Sequence, residues 1–172
     1  MQLSSKRTTL RPLTPADVDA MHALWTDPVV RKYLWDDAII ARERAAEVIG
    51  ASEADFASHQ YGLWAVIDKG SGEIAGFCGL RSSEHGISSE CPELLYALWP
   101  RFSGKGLATE AAQAVLSYAF ALGHQEVVAA TDVPNQASVR VLQRLGMTLE
   151  RRGLLNGLET LFYRLSSNRG SS

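Results

Sequence analysis

Apolar positions recur every three to four residues in some stretches and fall on alternate or contiguous positions in others, a pattern that predicts a chain of mixed helices and strands. Thr8 to Leu13 reads as a short strand. Thr14-Pro15-Ala16-Asp17 then supplies an N-cap residue, a proline at the first helical position and an acidic first turn, so a helix is expected to start there. Val18, Met21, Leu24 and Trp25 keep the helical spacing, and Asp27-Pro28 is expected to end the segment, because the residue before a proline resists the α region. A second helix is predicted over Asp37 to Ser58, whose Ala, Glu and Arg content suits a solvated outer face. Tyr61 to Ile67 and Glu73 to Leu80 are apolar, β-rich runs separated by Asp68-Lys69-Gly70-Ser71-Gly72, the pattern of an antiparallel hairpin.

After a polar loop from Arg81 to Pro92, Leu94 to Trp99 reads as a strand, followed by a glycine-rich turn and a helix through Leu122 with Val115, Tyr118, Ala119 and Leu122 on one face. Gln125 to Thr131 is a strand of buried type, Asn135 caps a further helix, and Gly146 ends it as a C′ residue. Thr148 to Arg152 and Thr160 to Leu165 close the chain as two strands around Asn156-Gly157, a strong turn dipeptide. This order of elements implies an α/β (α+β) domain with a mixed sheet and helices packed on its faces. One domain over residues 1–166 is expected, with a disordered polar tail over 167–172.

Composition narrows the partners. The 172 residues suit one core, and a net charge of −2 with a pI near 6.1 lacks the basic excess that binding a phosphate backbone needs, so no nucleic acid partner is expected. No apolar run is long enough for a membrane span and Met1 to Leu13 has no signal-peptide core, so the expected setting is the cytoplasm, away from membranes. Cys78 and Cys91 are expected to be small buried hydrophobes rather than a bridge. His22, His59, His85 and His124 lack metal-ligand spacing, and no metal is expected.

The chemistry concentrates where a strand hands over to a helix, at Ser103-Gly104-Lys105-Gly106-Leu107-Ala108-Thr109-Glu110. The first amides of a helix have no partner inside it, glycines let the backbone come close to a guest, the helix dipole adds roughly half a positive charge, and Lys105 adds a full one. A phosphate or pyrophosphate is the natural guest; the alternative is a tight turn that uses glycine only for its positive φ. A P-loop is excluded because no glycine stands five positions before Gly104, where the residue is Trp99. A dinucleotide fingerprint lacks its third glycine, since Thr109 stands there, and follows an antiparallel hairpin instead of opening a parallel sheet.

Tyr96-Ala97-Leu98-Trp99-Pro100-Arg101-Phe102-Ser103-Gly104-Lys105-Gly106-Leu107-Ala108-Thr109-Glu110-Ala111, followed by Asn135-Gln136-Ala137-Ser138-Val139-Arg140-Val141-Leu142 and Leu145-Gly146-Met147, resembles the GNAT acetyltransferase family, in particular its RimJ/RimL-like subgroup. Leu10-Arg11-Pro12-Leu13 and Tyr33-Leu34-Trp35 match that subgroup's usual start, so the likeness covers nearly the whole chain. The resemblance implies a mixed, mostly antiparallel central sheet of about seven strands with helices on both faces, and acetyl-CoA as the acyl donor. It puts the pyrophosphate on the loop amides from Ser103 to Thr109, with Ser103 replacing the family's usual long polar residue, and the pantetheine arm against the backbone of the strand through Leu98.

The same resemblance implies a second cofactor contact at Asn135, with Ser138 or a water near it as general acid, because the family's frequent tyrosine is here Leu142. Glu93 matches the acidic residue that the subgroup places beside the acyl end. An amine attacks a thioester only when neutral, so Glu93 is the expected base, directly or through water, with Glu90 and Asp132 in reserve. Trp35 falls where the family builds its acceptor wall. The implied function is direct acetyl transfer to a primary amine, either a protein N-terminus or a small amine, without metal or covalent acyl-enzyme. The alternative is a CoA-binding sensor or scaffold with little catalysis, to which the loss of the tyrosine and of the long polar residue points.

Overall fold

The computed structural model describes residues 1–82 and 87–168. Eight strands form one sheet: β1 (Leu3–Ser4), β2 (Thr8–Pro12), β3 (Leu63–Asp68), β4 (Ile74–Arg81), β5 (Glu93–Leu98), β6 (Glu126–Asp132), β7 (Thr148–Leu155) and β8 (Leu158–Ser166). Their order across the sheet is β1-β2-β3-β4-β5-β6-β8-β7, antiparallel everywhere except between β5 and β6. The helices are α1 (Val18–Thr26), α2 (Pro28–Leu34), α3 (Arg42–His59), α4 (Leu107–Ala121) and α5 (Gln136–Arg144).

Three expectations change. Asp27 takes an extended ψ of 132° before Pro28, which ends α1 as anticipated, but its carboxylate then accepts from the amides of Val29 and Val30 and starts α2 at once. One dipeptide is both stop and start signal. The helix predicted from Asp37 begins only at Arg42, because Asp36 and Asp37 hold φ of 52° and 64°, outside the helical basin. The sheet also gains β1, too short to leave a periodic signal. The hairpin of β7 and β8 turns at Asn156-Gly157, both at positive φ, as the dipeptide requires. His85 and residues 169–172 of the expected tail lie outside the described residues.

Alternation along the central strands divides the core in two. Leu107, Ala111, Val115 and Ala119 of α4 and Leu142 of α5 cover one face, meeting Trp64, Val66, Leu94 and Val127. Val18, Met21, Leu24 and Trp25 of α1, Val30 of α2 and Ala45 and Ile49 of α3 cover the other, meeting Leu63, Ala65 and Phe77. Cys78 and Cys91 are both buried and free, and burial pushes the Cys78 thiol far up, away from thiolate chemistry. Among the described residues no helix is long and apolar enough to cross a membrane.

Candidate active site

β5 and β6 are joined at one register position, Glu93 opposite Val128, with the Val128 amide donating to Pro92 O at 3.0 Å. Past that point the two strands part. β5 keeps its full ladder with β4, from Glu93 opposite Arg81 to Leu98 opposite Gly76, so its other edge opens onto a gap in the middle of the sheet. A cavity of about 1080 Å³ runs through this gap, lined by Leu94 to Leu98 on one side and Ala129 to Asp132 on the other. An unpaired strand edge is a template for any extended chain bearing amides.

At the α4 end the cavity reaches Ser103, Gly104, Gly106, Leu107, Ala108 and Thr109. The α4 ladder starts with the Glu110 amide donating to Gly106 O, so the amides of Leu107, Ala108 and Thr109 precede its first rung. Gly106 sits at φ 81° and Gly104 at 76°, and a Cβ at Gly104 would meet nothing within 4 Å. Thr109 Oγ1 is buried with no partner among the described residues. Free amides, an orphaned hydroxyl and side-chain-free glycines fit a diphosphate.

Lys105 behaves otherwise. It is absent from the lining; its Nζ lies 5.9 Å from the Phe102 ring centroid, and its charge reaches Asp68, whose carboxyl is held down chiefly by the Ser71 hydroxyl. The cations that do line the cavity are Arg140 and Arg144, one turn apart on α5, together with Arg44 and Arg81 at the opposite end. The sequence reading missed Arg140 and Arg144, although their i, i+4 spacing on the Asn135 helix was visible.

Asn135 caps α5, its Oδ1 accepting from the Ser138 amide at 3.2 Å, and both residues line the cavity. Ser138 Oγ stands 2.8 Å from Tyr96 OH on β5. Tyr96 was not singled out from sequence, since nothing local ties it to a residue 42 positions away. Burial pushes its phenol up, partly offset by the Ser138 hydrogen bond.

Glu93 is 3% exposed at the closed end of the gap, and its Oε2 accepts from Arg81 Nη2 at 2.6 Å, Arg81 Nε at 3.1 Å and the Ile87 amide at 3.2 Å. Along β5, Leu94, Tyr96 and Leu98 join the α4/α5 core while Leu95 and Ala97 join the α1–α3 core, so Glu93 alternates to the face opposite Tyr96. Trp35 closes α2 and lines the cavity on the Glu93 face. Its ring packs edge-on to Trp25 at 6.0 Å, Arg44 lies 5.8 Å from its centroid, and its Nε1 is buried without a partner among the described residues. Asp132 lines the same face, four residues past Val128 toward the open end of the gap, its carboxyl pushed up by burial and by the charge of Asp36. Glu90 is exposed and outside the lining.

The acetyltransferase (GNAT) domain model matches residues 7–148. The chain is 29% identical over 160 residues to an uncharacterized N-acetyltransferase, p20, of Bacillus licheniformis, covering 91% of this chain and 86% of that protein. Among solved structures, an acetyltransferase from Agrobacterium tumefaciens superposes with a TM-score of 0.83 at 27% identity, covering 97% of this chain and 95% of that one. An acetyltransferase from Salmonella typhimurium that modifies the N-terminal serine of a 50S ribosomal subunit protein superposes at 0.78 with 21% identity, covering 95% and 97%. A gap between parallel strands, free helix amides at one end and a match over most of the length have one common account: the chain belongs to the GNAT acetyltransferase family.

Proposed function

We propose that this N-acetyltransferase moves an acetyl group from acetyl-CoA to a primary amine by direct attack, the amine entering from the α1–α3 face and the thiol staying on the α4/α5 face. The observation that carries this reading is the single register position between β5 and β6, which leaves a passage from one face of the sheet to the other. The amides of Leu107, Ala108 and Thr109 bind the diphosphate, and the open edge of β5 up to Leu98 holds the pantetheine amides. The donor supplies an activated acyl carbon, so the protein need only orient it and manage protons.

On the amine side Glu93, held by Arg81, takes the proton directly or through one water, and Trp35 with Asp132 forms the acceptor wall. On the thiol side Ser138 faces the leaving group. Asp36, Glu47 and Asp132 along that wall suit a cationic acceptor, either a peptide N-terminus, as for the Salmonella neighbour, or a small amine.

The test is release of free thiol from acetyl-CoA over a panel of peptides with differing first residues, polyamines, amino acids and aminoglycosides. Saturable turnover with one class names the acceptor. Tight CoA binding without turnover on any amine would favour the sensor reading, to which Leu142 in place of a tyrosine and a Glu93 already engaged by Arg81 lend support.

A further inference from the structure

Tyr96 and Ser138 are joined by a hydrogen bond of 2.8 Å between hydroxyls, one on the parted half of β5 and the other on the first turn of α5. Both line the cavity. The pair is held from each end: Tyr96 by its ladder position opposite Cys78 on β4, Ser138 by the Asn135 cap on its amide. Two hydroxyls carry two hydrogens, and their mutual bond uses one. The phenol packs among apolar side chains, where it stays protonated; its hydrogen has two acceptors within reach, Ser138 Oγ at 2.8 Å and Ser138 O at 3.4 Å, and the shorter contact places it on Oγ.

We propose that Tyr96 is a positioning residue for the leaving group: by donating to Ser138 Oγ it commits the Ser138 hydrogen to the cavity, toward the sulfur of the acyl donor. This rests on the acyl-donor reading above. As the new N–C bond forms and the C–S bond breaks, the electron pair of that bond remains on sulfur, and Ser138 donates a hydrogen bond to the growing negative charge. The nitrogen gives up its proton to Glu93 or water on the other face, and the sulfur takes one back from solvent, so the proton count is unchanged. A hydroxyl that itself accepts from a phenol is a better donor than one alone, because hydrogen bonds in a chain polarise each other. Leu142, one turn further along α5 and buried, has no hydrogen to offer, so the donor on this face is Ser138, oriented from β5 by Tyr96.

The direct test uses the thiol itself. CoA bound to the wild-type protein is titrated by thiolate absorbance, alongside Tyr96→Phe, Ser138→Ala and the double variant, with CoA affinity measured by calorimetry at pH 6, where the thiol is neutral. The wild type is expected to lower the thiol pKa relative to free CoA. Each single variant is expected to reverse that shift, leaving affinity at pH 6 within about twofold and lowering kcat by about tenfold or more with acceptor KM little changed. The double variant is expected to match Ser138→Ala, because the two side chains act as one unit. Titrations of Tyr96→Phe and wild type that superimpose, or effects that add in the double variant, overturn the proposal while leaving the enzyme assignment intact. A wild-type protein that does not bind CoA at all overturns the donor reading and this inference together. Unchanged thermal unfolding of Tyr96→Phe, which loses one oxygen and no carbon, separates the effect from a loss of fold.

Discussion

Glu93 and Arg81 stand opposite each other on β5 and β4, with Glu93 Oε2 2.6 Å from Arg81 Nη2 and the carboxylate almost wholly buried. Burying a carboxylate is costly unless it is paired and hydrogen-bonded, and Arg81 supplies both at the closed end of the passage. Glu93→Gln keeps the shape and the hydrogen bond to Arg81 but removes the base. Turnover is expected to fall by about 10²-fold or more at pH 7, with the deficit shrinking toward pH 9 as the acceptor amine loses its own proton. The check is the variant-to-wild-type ratio of kcat/KM across pH; a flat ratio removes Glu93 from this role.

Gly106 holds φ 81°, and a Cβ there would lie 3.3 Å from Arg7 Nη2. A β-branched side chain resists that conformation by roughly 1–2 kcal/mol and covers the adjacent amides. Gly106→Val is expected to weaken acetyl-CoA by at least about a hundredfold, since each charge-assisted hydrogen bond is worth about 1.5–3 kcal/mol, while unfolding stays cooperative. Calorimetric affinity and a thermal melt decide it.

Trp35 Nε1 is buried without a partner among the described residues at the wall on the Glu93 face, beside the Arg44 guanidinium. Trp35→Phe keeps the packing on Trp25 and removes the donor. Acceptor KM should rise several-fold, as expected for a lost hydrogen bond of about 1 kcal/mol, with acetyl-CoA affinity unmoved. Equal effects on both substrates would place Trp35 in the framework instead.

Arg140 and Arg144 present two exposed guanidinium groups to the cavity from one face of α5. Replacing either with Gln is expected to weaken CoA by about two- to fivefold, less at high salt, in line with exposed charge pairs. Dephospho-CoA, with one phosphate fewer, should be less affected; equal losses for both ligands would exclude contact with that phosphate.

Asp17 accepts from Arg11 Nη1 at 2.8 Å, Arg11 Nη2 at 2.9 Å and the Thr14 amide at 2.9 Å, which hold its carboxyl below the ordinary 3.8. A folded pKa below the unfolded one means that this stabilisation is complete above about 4 and is lost as pH falls through the folded value. Asp17→Asn should therefore lower stability by about 1–3 kcal/mol at pH 7, with wild type and variant converging in strong acid. Melts at pH 7, 4 and 2.5 test the sign.

The glycine-rich turn was legible because helix-start chemistry is local: Gly106, the amides behind it and the Asn135 cap all follow from a few consecutive residues. The whole of α2 was not, because Asp27-Pro28 carries two instructions, stop and start, and packing of Val30 into the α1–α3 core favours the second; nor was the start of α3, which the positive φ of Asp36 and Asp37 delays to Arg42. Lys105 shows the opposite limit, since a residue expected at the phosphate site lies outside the cavity lining, with its Nζ 5.9 Å from the Phe102 ring centroid.

The amino-acid order alone determined most of the strands and helices and the glycine-rich turn at the start of α4, since periodicity, capping and turn residues act over a few positions. Tertiary structure decided the rest: the parting of β5 from β6, the faces on which Glu93 and Tyr96 lie, and the meeting of Tyr96 with Ser138 across 42 residues. Those depend on sheet order and strand register, which arise only when distant segments bury their apolar faces against one another.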